Sequence, residues 1–428
     1  LLGNDADDQD FVYMYDTNGV LRGEIPIIGY RSHRMLIQNQ TLYMSVSTHR
    51  MAAINHLGRI EHIYNLGNYI VHHDYQFDQD GNLILLATNE EKNSVEDCII
   101  KLDIETEEVS ELLDLEDLFK SYKESTDHKE GSKWDWMHIN TLQYLSDDSV
   151  ILSSRETSSI IKINDVSTNP SIDYIIGNED FWKDTDYTKY LYTKEGDFLT
   201  SGGQHTVTYM EDDALESGQY YLYMFDNNFG YSKTRKDYDW TVNEGIQTSI
   251  TEGTTSYYYQ YLVDENEGTY TLVNSFEVPF NAYVSSVQNL CNHIVVDSGI
   301  AGLLSIYDTD GNLLWESALL QDTYDVDEVN SDYTVYSHTD YREEDRYDLY
   351  DGSLILHDNR TGEEQTLFTW NEKSEDKRVI PLKLTEDKLY YYQSEKGKYS
   401  TGNRSTAMSL RQEKKPFCMR REDLPDRR

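Results

Sequence analysis

Three short stretches of this chain carry side chains that could do chemistry together. The first is Val71 to Tyr75, which holds His72 and His73. The second runs from Trp134 through Trp136 and His138 to Asn140, and is followed by Ser153, Ser154 and Arg155. The third is Gly202 to Thr206, with Gln204 and His205. A neutral imidazole is a competent nucleophile and proton carrier near neutral pH. A guanidinium offers fixed donors to the oxygens of an anion, and a carboxamide adds another. Singly, each is an ordinary strand residue. Three histidine-bearing stretches, an asparagine and an arginine, in a chain with only 12 His, point to transfer or binding of a small anionic group.

These residues sit at the starts or ends of short alternating segments. Phe11–Tyr15, Leu83–Leu86, Val150–Leu152, Ser159–Ile163, Tyr220–Phe225 and Lys388–Gln393 are each of ordinary strand length. Asp/Asn/Gly turns separate them. Tyr15–Glu24 and Tyr307–Glu316 are copies of one strand–turn–strand unit. A second unit, with an Asp-Gly or Asp-Asp turn, recurs over Tyr75–Ala87 and Leu142–Ser154. Alternating hairpins over most of the chain predict an all-β fold of radial blades, a β-propeller. The one helix expected runs from Leu112 to Tyr122. The Asp78–Gly81 turn could suggest a calcium loop, but the later ligands are missing, so it reads as a hairpin turn.

In a propeller the first strand of each blade lies nearest the axis, so strand starts on consecutive blades can converge. Aligning the hairpins sets Asn140 opposite His73 and His138 opposite Val71. By alternation His138, Asn140 and His73 share a face, and His72 points away. Arg155 ends the returning strand and could reach the same opening.

Composition narrows the partners. The 428 residues carry a formal charge of -41, which disfavours nucleic acid and anionic membranes. An anion site in such a chain needs a local gathering of His and Arg. Tyr, Phe and Trp make up 12% of the chain, which argues for a folded β protein rather than a disordered acidic one. Cys98, Cys291 and Cys418 are far apart and form no CxxC motif, so neither a disulfide framework nor a metal site is expected. No apolar run is long enough to span a membrane. No signal peptide is visible, and because the sequence opens on Leu1 this leaves location open. Residues 1–400 read as one propeller domain. Residues 401–428 hold eight Lys/Arg, four Asp/Glu and two Pro without alternation, and read as a poorly ordered basic tail.

The order of His72-His73-Asp74, then the Trp134–Asn140 stretch with Ser153-Ser154-Arg155, then Gly202–Thr206, resembles the bacterial arylsulfotransferase family. Phe225–Asn228, Tyr283–Gln288 and Tyr341-Arg342 are similar too, and the resemblance spans roughly residues 10–395. It implies a six-bladed propeller that moves a sulfuryl group from an aryl sulfate to a phenol without a nucleotide sulfate donor or any cofactor. It implies that His205 takes the sulfuryl group covalently. His138, Asn140 and Arg155 would bind its oxygens, and His73 or His72 would complete the site. Gln204, Thr206, His72 and Trp136 would be substrate-binding. It further implies a periplasmic or extracellular location and allows a homodimer, although the N-terminal β domain that supports dimers in some members is not seen here. The tail leaves closure of the last blade open. Two other readings compete: a non-catalytic binding propeller, and an aryl sulfate hydrolase that uses water as acceptor.

Overall fold

The computed structural model describes residues 34–318 apart from 56, 57, 251, 252 and 291; beyond that range it describes backbone strands only. The chain divides into two compact units. The first comprises Leu1–Ser47, Met51–Ile63 and Leu319–Arg428, the second Thr48–Arg50 and Tyr64–Ala318.

The fold is an all-β propeller built from up-and-down blades, as the alternation predicts. Blade I, mostly in the first unit, is Met35–Gln38, Thr41–Ser47, Arg50–Ile54 and Ile60–Asn65. The second unit holds four more. Blade II is Tyr69–Phe77, Leu83–Asn89, Cys98–Leu102 and Val109–Asp114. Blade III is Ile139–Tyr144, Val150–Ser154, Ser159–Asn164 and Ser171–Ile176. Blade IV is His205–Met210, Gln219–Asp226, Ser256–Asp264 and Thr269–Val278, with Thr193–Glu195 added in parallel at its outer edge. Blade V is Ser286–Leu290, His293–Ser298, Leu303–Asp308 and Leu313–Ala318.

Among the described residues five such blades are seen, where the family resemblance implies six. The remaining strands do not repeat the pattern. Leu2–Gly3, Gln9–Tyr15 and Leu21–Ile28 make a three-stranded sheet. Tyr333–Thr339, Gly352–Asp358 and Glu364–Trp370 pair antiparallel, but Tyr392–Glu395 joins them in parallel, beside Tyr333–Thr339. The 401–428 segment lies outside the described residues.

Within the second unit, the first strand of every blade is an edge strand. These edges are bolted to one another by side chains. Asp74 Oδ2 accepts the Leu142 amide at 2.9 Å, and Gln76 Nε2 donates to the Tyr144 carbonyl at 2.6 Å. Asn140 Nδ2 donates to the Gln204 carbonyl at 2.8 Å, and the Val287 amide donates to Thr206 Oγ1 at 3.1 Å. Buried edge strands would otherwise leave amides and carbonyls without partners, at a cost of about 1–3 kcal/mol each.

The core lies between blades. Helix α1, Leu115–Ser125, packs Phe119 and Tyr122 against Trp136, Phe181 and Trp182 between blades II and III. It starts three residues later than the spacing predicts, because the fourth strand of blade II runs on to Asp114. The Asp114 carboxylate then caps the helix by accepting the Glu116 amide. Tyr174, Tyr220, Tyr259, Tyr261 and Tyr270 fill the space between blades III and IV, with Tyr174 and Tyr220 hydroxyls 2.8 Å apart. Tyrosine supplies apolar area while keeping a polar tip that a partner can satisfy, which is how so acidic a chain builds an interior. At the Asp78 turn the carboxylate accepts the amides of Asp80 and Asn82 and the Lys101 ammonium, so it is a hairpin device. The Tyr307–Glu316 repeat is likewise a hairpin, closed by Asp308.

Candidate active site

The first strands of blades II, III and IV enter through a distorted backbone. Pairing shifts register between Val71 and Tyr75, between Ile139 and Thr141, and between His205 and Thr208. Beside these shifts His73, His138 and Thr206 have φ of 47°, 49° and 50°. Left-handed backbone is uncommon for histidine and strained for a β-branched residue. The bulges re-aim the side chains out of strict alternation. Through these bulges it is contacts, not strict alternation, that place His72 and His73. The two rings meet, Nδ1 to Nδ1 at 3.1 Å, and His73 stands edge-on to His138 with ring centroids 5.1 Å apart. His73 lies toward the cluster. His72 lies behind it, buried, with Nε2 lacking a partner, and burial lowers its pKa.

His138 is held as an imidazolium. Two loops bring carboxylates to it. Residues 93–96 and 134–139 are stitched together by Trp134 N to the Asn93 carbonyl, Val95 N to the Trp134 carbonyl, and Ile139 N to the Glu96 carbonyl. The His138 Nδ1–H is aimed at Asp135, 3.0 Å from Oδ2. Glu96 Oε2 lies 2.7 Å from the same nitrogen, off the N–H line, as an ion-pair partner. Burial and Arg155 oppose the charge, but the two carboxylates outweigh them and push the pKa up to about 9. Reciprocally, His138 overcomes the effect of burial on Glu96 and keeps its carboxyl well below the usual range.

Arg155 follows the second strand of blade III, and its amide donates to the His138 carbonyl at 3.1 Å. Its guanidinium is oriented by Glu156, 3.2 Å away, and lies 4.0 Å from Asp135. Glu156 is fully buried and accepts the amide and hydroxyl of Thr234. Asn140 is buried; one amide hydrogen goes to the Gln204 carbonyl, which leaves the other for a ligand.

His205 arrives on the loop 202–204. Gly203 has φ of 64°, and a Cβ there would sit 3.0 Å from the Phe229 carbonyl oxygen and 3.9 Å from Arg155 Cγ. The left-handed backbone and the close approach to the Phe229 carbonyl call for glycine here. His205 is buried, and its Nδ1 is 2.7 Å from Asn227 Oδ1. The Asn227 amide nitrogen donates to the carbonyls of Asn281 and Val284, so its orientation is fixed and the oxygen faces the ring. The His205 proton must then sit on Nδ1, leaving Nε2 unprotonated. Burial, the largest effect, and the charges of His138 and Arg155 outweigh the bond to Asn227 and bring the pKa down to about 4. A neutral imidazole thus stands beside an imidazolium and a guanidinium.

His73, His138, Asn140, Arg155 and His205 are brought together. Three other candidates make contacts within the fold. Trp136 is fully buried in the core, with Nε1 donating to Asp97 at 2.7 Å. Gln204 is fully buried, and its amide nitrogen bonds Ser153 Oγ and the Ser159 carbonyl. The half-buried Thr206 accepts the Val287 amide through its hydroxyl oxygen. Glu96, Asp135, Glu156 and Asn227 escape the sequence reading. Asp135, Glu156 and Asn227 lie within or next to motifs already noted; Glu96, in a loop of blade II, carries no local signal. The donors of His73, Glu96 and His138 lie within 4.8 Å of one another, a spacing that would also suit a metal ion. No helix among the described residues is long and apolar enough to cross a membrane.

The family model for arylsulfotransferase (ASST) matches residues 1–313. The chain belongs to the arylsulfotransferase family. It is accordingly an aryl-sulfate sulfotransferase, an enzyme that acts on small molecules. No curated protein matches its sequence. Among solved structures it is similar to a protein of unknown function from Bacteroides caccae, at 10% identity, covering 74% of this chain and 92% of that one with a TM-score of 0.43. It is also similar to a putative 6-phosphogluconolactonase from Bacteroides uniformis, at 9% identity, 73% and 79% coverage and a TM-score of 0.40. Virginiamycin B lyase from Staphylococcus aureus follows, at 10% identity, 74% and 83% coverage and a TM-score of 0.38. These likenesses carry no functional argument. The arylsulfotransferase match spans all five clustered residues.

Proposed function

We propose that this arylsulfotransferase works in two half-reactions through a sulfuryl group carried on His205. In the first, the Nε2 lone pair attacks the sulfur of an aryl sulfate. The sulfur–oxygen bond to the aryl group breaks, and the departing phenolate takes the proton of His138. In the second, a phenol attacks the same sulfur as His138 recovers the phenol's proton. The nitrogen–sulfur bond breaks, and its electron pair returns to Nε2. Charge spreads over the three non-bridging oxygens in such transfers, so positioning and electrostatics do most of the catalysis. Arg155 and Asn140 are the donors to those oxygens, and His73 lies at the far side of His138.

One observation carries this reading: His205 Nδ1 meets the fixed Asn227 amide oxygen at 2.7 Å, which leaves Nε2 as the open nitrogen, and burial lowers the pKa of this ring while carboxylates raise that of His138. A binding propeller needs anion donors but no neutral imidazole among them. A hydrolase would need the same first half-reaction with water as acceptor. The site is built for aryl sulfate donors and phenolic acceptors, and we place the enzyme in the periplasm or outside the cell on the habit of its family. Homodimerisation is left as a family feature.

The test uses a chromogenic aryl sulfate with and without a phenol. Aryl alcohol release that rises with phenol concentration supports transfer. Release indifferent to phenol supports hydrolysis. Replacing His205 by Ala is expected to lower the rate on the order of a thousandfold or more; full activity in that variant defeats the assignment.

A further inference from the structure

We propose that Asn227 is a positioning residue for sulfuryl transfer, fixing the His205 imidazole in the tautomer that presents Nε2 to the donor sulfur. This rests on the covalent role of His205 proposed above. The geometry is specific. Asn227 is fully buried and directly follows the second strand of blade IV, in the Phe225–Asn228 stretch to which no role has been assigned. All three polar functions of its side chain are engaged. The oxygen meets His205 Nδ1 at 2.7 Å, and the nitrogen meets the carbonyls of Asn281 and Val284 at 2.9 and 3.0 Å. Two acceptors on the nitrogen mean the amide cannot flip, so the ring must donate.

The backbone around it is clamped. Its own carbonyl accepts the Ser256 hydroxyl at 3.0 Å. The Asp226 carboxylate accepts the amides of Gly202 and Asn228, tying this turn to the loop that delivers His205. Asn228 Nδ2 donates to the Thr255 carbonyl. A carboxamide held by this many bonds has no freedom to follow the ring; the ring must follow it.

Its neutrality matters as much as its direction. When Nε2 bonds to sulfur and Nδ1 keeps its proton, the ring becomes an N-sulfo imidazolium. A neutral acceptor holds that proton without stabilising the cation strongly, so the sulfuryl group stays transferable. A carboxylate at the same place would favour the imidazolium, both in the free enzyme and in the intermediate. The charged groups around His205, namely His138 and Arg155 from blade III, act in the opposite sense.

Asn227→Asp and Asn227→Leu test this with an aryl sulfate donor, reading the pH profile of kcat/KM and the lifetime of the protein-bound sulfuryl group without acceptor. The Asp variant keeps the side chain's shape but gives up the two bonds to the Asn281 and Val284 carbonyls, so its Tm is measured first and both readouts are taken below it. Its acid limb should rise by about one to three pH units, and its sulfuryl form should outlive that of the wild type. The Leu variant should lose on the order of a hundredfold in kcat with little change in KM. A labelled wild type with an unmoved acid limb and an unchanged lifetime in the Asp variant overturns this assignment alone. A wild type that never carries the sulfuryl group overturns the covalent reading, and this assignment with it.

Discussion

Replacing Glu96 by Gln should move the alkaline limit of the enzyme. Glu96 Oε2 lies 2.7 Å from His138 Nδ1, in a loop far from any sequence motif. With Asp135 it keeps His138 protonated up to about 9, against an ordinary value of 6.5. Removing one of two opposite charges at this range takes back about one to two pK units. The His138 pKa should then fall to roughly 7–8. The donor half-reaction needs the protonated ring to release the phenolate, so its rate follows that protonation. At about pH 8.5 the variant, with a pKa near the middle of that range, should run roughly eightfold slower than wild type. At about pH 6 both are fully protonated and should run alike. The assay is single-turnover release of a chromogenic phenol from its sulfate across the pH range. An alkaline limb that stays in place, or a loss of equal size at every pH, would refute the claim that Glu96 acts through the charge of His138.

Other predictions follow from neighbouring contacts. Trp136→Phe removes the buried bond to Asp97 and should destabilise the fold by about 1–3 kcal/mol in denaturant titration, with KM for the aryl sulfate unchanged; a large rise in KM would restore a substrate role for Trp136. Arg155→Met should lower kcat/KM by on the order of a hundredfold to a thousandfold, and it should also destabilise the protein, because fully buried Glu156 loses its cationic partner and keeps only the bonds from Thr234. The His138 contribution to stability has a definite sign. Its folded pKa is raised from 6.5 to about 9. Its stabilisation is therefore fully present below the unfolded value and is lost as pH rises through that window. His138→Gln should flatten the fall of Tm there. Gly203→Ala, which sets a Cβ 3.0 Å from the Phe229 carbonyl oxygen at a φ of 64°, should lower both Tm and the transfer rate.

Much of the fold and the core of the site were legible in the sequence. Alternation and Asp/Gly turns report local pairing, and local pairing is what an up-and-down blade is. Tyr307–Glu316 and the Asp78 turn were readable for that reason. The count of blades was not, because Tyr392–Glu395 joins its sheet in parallel and Leu2–Ile28 supplies only three strands, choices made by distant segments. The five clustered residues stood out because nucleophile, acid and anion donor have to be His, Arg and Asn. Their supporting groups did not. Glu96 and Asn227 act through loops and turns whose meeting is decided by packing, and an acidic chain hides one functional glutamate among 78 Asp and Glu. Trp136 and Gln204 lie close to reactive residues in sequence, yet their side chains are fully buried and bonded inside the fold, a placement decided by packing that no local pattern reports. The bulges, marked by the left-handed backbone of His73 and His138, interrupt strict alternation, so the placement of His73 beside His138 rests on ring contacts rather than on strand parity.

The central claim is a covalent sulfuryl group on His205. The most direct measurement is intact-protein and peptide mass spectrometry after mixing the enzyme with an aryl sulfate and no acceptor, quenched in alkali where N-sulfo groups survive. The account predicts a mass increase of one sulfuryl group on the peptide that contains His205, lost on adding a phenol and absent from His205→Ala. No adduct on an enzyme that turns over, or an adduct that persists when His205 is replaced, would contradict it.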